Sequence, residues 1–240
     1  MSLKRNIFIS GANSDIGIIL AQKFLADGHN VIGHYRKENA KLLNLEKKNK
    51  NFLKFQFDFS ELNNWEKEIR KRKKMFSKID VFVHLAAELT PKNFADTDSA
   101  ILMHTIYVNF LSAQSLLRFL VKPMSQRKFG RIILGSSIGT KFGGGQDSYA
   151  YSLSKHMLEF MSSEMRAWSK DNILINTLRI GVTDTKIHKN LPQKNLKKRI
   201  ELIPIGRLAT PNEVANAIKW FGSDQNTFTT GQVIDVSGGE

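Results

Sequence analysis

The stretch DSYAYSLSK, residues 147–155, sets two tyrosines just ahead of a lysine. On a helix of about 3.6 residues per turn, positions four apart lie one turn apart on the same face. Tyr151 and Lys155 meet that condition, whereas Tyr149 and Lys155, six apart, face largely different directions. An ammonium group beside a phenol stabilises the phenolate and draws its pKa down from about 10. Tyr151 is then able to give a proton to a carbonyl oxygen as a hydride arrives, or to take one back in reverse. Tyr149 is expected to pack against the pocket wall.

Such a pair needs a scaffold that brings a reactant to it. NIFIS (6–10), NVIGHY (30–35), NFLKFQFDF (51–59), IDVFVHLAA (79–87), GRIILGSS (130–137), NILINTLRI (172–180) and GQVIDV (231–236) read as strands. Helical periodicity fills the intervals. It predicts a helix opened by Ser60, long helices over 97–126 and 149–170, and a last helix starting near Pro211. Alternating strands and helices imply a parallel sheet covered on both faces by right-handed crossovers. With no Pro/Gly/Ser linker and no internal repeat, residues 1–240 read as a single α/β domain, doubly wound around about seven strands. Ligands of such sheets bind beyond the carboxyl ends of the strands.

The first strand ends in SGANSDIG, residues 10–17. Gly11 permits a tight turn and Gly17 lets the helix pack closely on the strand. The helix start offers N–H groups and a positive dipole end to a pyrophosphate. The spacing departs from G-x-G-x-x-G, with Asp15 standing where a third glycine is expected. Taken alone, this is equally an ordinary capped turn. Its candidate contacts are Gly11, Asn13, Ser14, Asp15, Ile16 and Gly17. The second strand runs into GHYRKEN, which has Arg36 and Lys37 at its tip and no acid. An arginine there suits a 2′-phosphate and an acid suits a free 2′-hydroxyl, so the tip favours NADP(H) over NAD(H). Asp58, ending the third strand, suits the adenine amino group.

Composition narrows the classes. The net charge is +14, concentrated in 36–78 and 186–207, yet Lys, Asn and Ile recur along the whole chain. The basic runs carry no aromatic interleaving and no nucleic-acid-reading motif, so no nucleic-acid partner is expected. RKRKK at 70–74 reads as the solvated end of a helix. The chain has no cysteine, which excludes disulfides, thiolate metal sites and a cysteine nucleophile, and no metal site is expected. The start lacks the apolar core of a signal peptide, and no apolar run approaches the roughly 18 residues of a membrane span. A cytoplasmic protein without membrane association is the expectation.

Several ordered motifs together resemble the short-chain dehydrogenase/reductase family, from SGANSDIG to TGQVIDVSGG. YSLSK at 151–155 is similar to the family's Y-x-x-x-K helix, GRIILGSS to the strand that carries its serine, and IYVNFLSAQ to its asparagine helix. The resemblance implies a Rossmann fold and a catalytic set of Asn109, Ser137, Tyr151 and Lys155. Ser137 would hold the substrate carbonyl. Lys155 would also bind the nicotinamide ribose, and Asn109 would position a lysine-bound water in a proton relay. It also implies cofactor contacts at Ala86, Gly181, Thr183 and Thr185.

Three stretches depart from the family pattern. HLAA at 84–87 stands for N-N-A-G, with His84 read as a buried structural residue. Ile180 stands for a proline, and Asp15 for the middle glycine. Residues 186–203 occupy the place of the variable substrate flap, and their charge suits either an acidic substrate or carrier protein, or plain solvation. The resemblance is nearest to 3-oxoacyl-carrier-protein reductases. Sugar, polyketide and small-ketone reductases, and a non-catalytic NADP(H)-binding regulator, are the alternatives. The family assembles as dimers or tetramers. The apolar stripe of Phe110, Leu111, Met157, Phe160, Met161 and Met165 suits a core or a dimer face, and a homotetramer is expected.

Overall fold

The computed structural model describes residues 3–185 and 193–240. The strands are β1 (Asn6–Ser10), β2 (Asn30–Tyr35), β3 (Phe52–Gln56), β4 (Val81–His84), β5 (Gly130–Ser137), β6 (Ile173–Ile180) and β7 (Gln232–Val236). All seven are parallel, in the order β3-β2-β1-β4-β5-β6-β7. The chain winds outward from β1 one way and from β4 the other, which opens a crevice above their ends.

Successive side chains of a strand point to opposite faces, and the two cores follow from that. Ile7, Ile9, Val81, Val83 and Ile133 enter one core, closed by α1 (Asp15–Ala26), α2 (Ala40–Lys48) and, late in the chain, Val214 and Ile218. Phe8, Phe82, Ile132, Leu134 and Ile175 enter the other. That core lies under α3 (Leu62–Lys71), α4 (Lys73–Phe76) and α5 (Ser99–Arg127). The chain continues with α6 (Tyr149–Met157), α7 (Ser163–Ala167), α8 (Gln193–Glu201) and α9 (Pro211–Phe221). Thr210 and Glu213 form a reciprocal capping box at the start of α9, with Pro211 in its first turn.

Three sequence expectations change. Ser60 does not cap α3: its N–H and hydroxyl both donate to Asp58 Oδ1, at 3.0 and 2.8 Å, and the helix begins at Leu62. The helix predicted over 149–170 stops at Met157. Ser162 Oγ accepts from Met165 N at 3.2 Å and opens a separate short helix. Phe160, in the gap, is 73% exposed, while Phe110, Met161 and Met165 pack on the second core. Finally, α5 is, among the described residues, a helix long and apolar enough by length and composition to cross a membrane. Its mean is reached without an unbroken apolar run, and Leu116, Leu117, Leu120 and Met124 are buried in the second core. One wide turn, Tyr107–Leu111, interrupts α5 with π-type pairing.

Trp65 is completely buried in the second core among Phe55, Phe57, Phe59 and Phe76, and its indole N–H donates to the Ser112 carbonyl at 2.9 Å. Trp65→Ala leaves both a cavity and an unpaired carbonyl. Urea denaturation should show a loss of about 3–5 kcal/mol.

Candidate active site

The site begins where β1 turns into α1. At Gly11, φ is +69°, and a Cβ there would lie 2.8 Å from the backbone nitrogen of Ala86. A Cβ at Gly17 would lie 2.5 Å from the Gly11 carbonyl. Both positions therefore require glycine if the turn is to pass this close to β4 and the helix to seat on the turn. Ser14 caps α1, its hydroxyl accepting from Gly17 N at 3.0 Å. The Asp15 carboxylate pairs with Lys41 of α2 at 2.9 Å, which offsets its charge at the helix start.

A cavity of about 380 Å³ runs from this turn across the strand ends. Asn13, Ser14, Asp15 and Ile16 of the turn line it together with Ser137, Tyr151 and Lys155, and with Gly181, Thr183, Thr185 and Arg199. Leu85, Leu89, Ile138, Ile180 and Val182 make much of the wall apolar. A helix start, a close-packed glycine turn and a polar loop along one cleft fit a dinucleotide.

Ser137 ends β5, and Tyr151 and Lys155 lie one turn apart on α6. Burial pushes the Tyr151 phenol above its ordinary pKa, and a hydrogen bond with the Ser137 side chain only partly offsets it. This corrects the expectation of a lowered phenol. Lys155 is itself buried, its pKa falls to about 8, and its Nζ donates to the Gly135 carbonyl at 2.7 Å. Nζ lies 5.8 Å from the Tyr151 ring centroid. Desolvation sets the direction, and Tyr151 is held protonated.

Asn109 lies in the wide turn of α5, completely buried behind this wall. Its side chain accepts from Glu88 N at 2.7 Å and donates to Glu88 O at 3.0 Å and to Ser154 Oγ at 2.9 Å. Ser154 in turn donates to the Tyr151 carbonyl at 2.7 Å. The Asn109 carbonyl accepts a hydrogen bond from His84 Nε2 at 3.0 Å. A carbonyl can only accept, so Nε2 carries the hydrogen, and Nδ1 accepts from the Ser10 hydroxyl at 2.8 Å. Ser10 Oγ then accepts from Leu85 N and Ala86 N, both at 3.1 Å.

Comparison with known proteins fits this geometry. Residues 11–240 match a family model described as "Enoyl-(Acyl carrier protein) reductase". The chain belongs to the short-chain dehydrogenase/reductase family. It is 30% identical over 247 residues to the 3-oxoacyl-(acyl-carrier-protein) reductase FabG of Thermotoga maritima, covering 96% of this chain and 95% of that one. To the protein of the same name from Escherichia coli it is 26% identical, covering 96% and 95%. The crystal structure of a 3-oxoacyl (acyl-carrier-protein) reductase from Agrobacterium tumefaciens with NADP bound superposes with a TM-score of 0.88. That likeness, at 23% identity over 100% of this chain and 95% of the other, is one of fold. As a member of this family, the protein is an oxidoreductase.

His84, standing where the family pattern has an asparagine, ties β1, β4 and α5 together. Ile180 adds to the apolar wall. Not every expected residue reaches the cavity. Gly11 and Gly17 lie beneath the turn, and Asn109 lies behind the wall. Arg36, Asp58 and Ala86 are, among the described residues, outside the lining. Asp58 is raised by burial, but hydrogen bonds from Ser60 and the Arg36 charge outweigh that and hold it low. Tyr149 is also outside the lining, set edge-on against Phe94 at 5.0 Å, which corrects its reading as pocket wall.

Sequence reasoning missed two carboxylates here. Glu159 is almost buried, bound by Arg179 through both oxygens (2.9 and 2.7 Å), by Thr140 (2.6 Å) and by Ser136 (2.8 Å). It braces the strand end next to Ser137. Glu240, 4% exposed, pairs with Arg199 of α8. Neither belongs to a local motif. A charged residue directly after the helix turn of Lys155 was the one available hint for Glu159.

His84 and His34 are both pulled down to about 3, in each case chiefly by burial. His34 accepts from Gly11 N and its Nε2–H donates to the Phe57 carbonyl. Unfolded histidines take up protons below about pH 6.5 and these folded ones do not until about pH 3. Stability is therefore complete above about 6.5 and falls through that window by about 1.4 kcal/mol per pH unit per histidine. Burial lowers His29 in the same direction. Urea unfolding at about pH 7, 6 and 5 should show this loss, with His84→Asn reducing the slope. A flat profile over that range would contradict it.

Proposed function

We propose that the protein is an NADP(H)-dependent oxidoreductase that reduces a carbonyl to an alcohol, or runs the reverse, with Tyr151 as the acid/base. The observation that carries this reading is the convergence of Ser137, Tyr151 and Lys155 in one cleft that continues to the start of α1. The nicotinamide supplies the hydride when bound. The raised phenol keeps Tyr151 charged with a proton for the carbonyl oxygen. Ser137, already hydrogen-bonded to Tyr151, holds that oxygen beside it. Lys155 stands by as a buried cation for the ribose and for the developing phenolate. Asn109 positions α6 through Ser154, and its role in a proton relay is part of the proposal.

Cofactor contacts are assigned to Gly11, Asn13, Ser14, Asp15, Ile16, Gly17, Asp58, Ala86, Gly181, Thr183 and Thr185, with Arg36 reading a 2′-phosphate. Solved neighbours with NADP bound support the phosphorylated form. Relatives named as 3-oxoacyl-(acyl-carrier-protein) reductases support an acyl thioester as substrate, and the apolar wall suits an acyl chain. Residues 186–203 serve as the flap in this reading, and 186–192 lie outside the described residues. Assembly as a homotetramer or dimer, in the cytoplasm, belongs to the same proposal and draws on exposed Phe160 and Met103.

Tyr151→Phe should lower the rate of ketone or acyl-thioester reduction by about 10²–10⁴-fold, followed by NADPH absorbance, while NADPH still binds. Tyr149→Phe should leave the rate nearly unchanged, and the opposite pattern would overturn the assignment. Arg36→Ala should weaken NADPH binding by about tenfold or more and NADH binding far less. Equal effects on both would remove the case for a phosphate reader.

A further inference from the structure

We propose that Glu88 competes with the cofactor's 2′-phosphate for Arg36 and so sets how strongly the protein prefers the phosphorylated dinucleotide. The inference rests on the reading of Arg36 as the phosphate contact. Arg36 directly follows β2 and Glu88 follows the end of β4, and these two strands flank β1 in the sheet. Arg36 Nη1 meets Glu88 Oε2 at 2.7 Å, so the ion pair links the strand ends on either side of β1 and its Gly11 turn.

Two further observations make this more than a surface ion pair. The main chain of Glu88 is clamped at both polar groups by Asn109, which is completely buried. The carboxylate therefore hangs from a fixed root and returns to the same place. The cavity, moreover, reaches Asn13, Ser14, Asp15 and Ile16, yet among the described residues Arg36, Asp58, Ala86 and Glu88 do not line it. The pair therefore lies outside the lined cavity, at the tips of the two strands on either side of the Gly11 turn.

A phosphate that grips the guanidinium through Nη1 displaces the carboxylate there, and it carries more charge and three acceptor oxygens. The Glu88 side chain, 24% exposed, then turns to solvent beside that phosphate and is repelled by it. A dinucleotide without the 2′-phosphate leaves the pair free to persist. Glu88 thus weakens NADPH more than NADH and narrows a preference that Arg36 alone would make wider.

The test is a set of Kd values from NADPH and NADH fluorescence titrations at low ionic strength on the full chain, with Glu88→Gln, Arg36→Ala and the double variant. Glu88→Gln should tighten NADPH by about threefold, within what one exposed ion pair can carry, and NADH by less. In the Arg36→Ala background the same change should do nothing. Glu88→Ala repeats the measurement without an amide, and thermal melting confirms folding. The proposal is overturned if NADPH affinity is unchanged or weaker in both Glu88 variants, or if the gain is as large without Arg36. Failure of the underlying reading looks different: Arg36→Ala would then affect NADPH and NADH alike.

Discussion

His84 joins three elements through one neutral imidazole: the Ser10 hydroxyl of β1, its own β4, and the Asn109 carbonyl of α5. Every polar atom in that ring is satisfied, and the direction of each bond follows from the fact that a carbonyl cannot donate. Ser10 passes the constraint to the N–H groups of Leu85 and Ala86, and so fixes the end of β4 against the Gly11 turn. Asn109 passes it to Glu88 on one side and through Ser154 to the Tyr151 helix on the other. The wide turn in α5 sets this asparagine behind the cleft. Low dielectric makes such a network strong when complete and costly when one member is charged or missing.

The same burial governs the chemistry. Ser137, Tyr151 and Lys155 share an environment in which removing water disfavours charge on either titrating group. Tyr151 is held as a phenol and Lys155 is held near the edge of its protonated range. In the proposed reaction, a resting site of this kind would donate a proton rather than accept one. Behind it, Glu159 holds its charge because Arg179, Thr140 and Ser136 together outweigh the desolvation that would raise it. The fold thus keeps Glu159 ionised and Tyr151 neutral.

Membership of the short-chain dehydrogenase/reductase family explains the broad plan, and the departures show which features of that plan are physical rather than literal. The imidazole of His84 bridges a hydroxyl and a carbonyl, a pairing that needs one acceptor and one donor. Asp15 stands at a helix start because Lys41 of the neighbouring helix pairs with it. Ile180 can replace a proline at the end of β6, where it contributes apolar wall.

The amino-acid sequence alone determined the sheet, the two-sided burial and the Tyr151–Lys155 pair. Strand alternation and helical spacing are periodicities among near neighbours, so Ile7, Phe8 and Ile9 already declare their faces. Local competition was harder to read: Asp58 takes Ser60 from α3, and Ser162 starts a new helix where periodicity would have continued the old one. The direction of the Tyr151 shift, the bracing of Glu159 and the Arg36–Glu88 pair were decided only by tertiary structure. Arg36 and Glu88 are 52 residues apart, and no spacing rule links them. They meet because the chain winds β2 and β4 to either side of β1, and burial, which sets the charge states, is a property of that assembled packing alone.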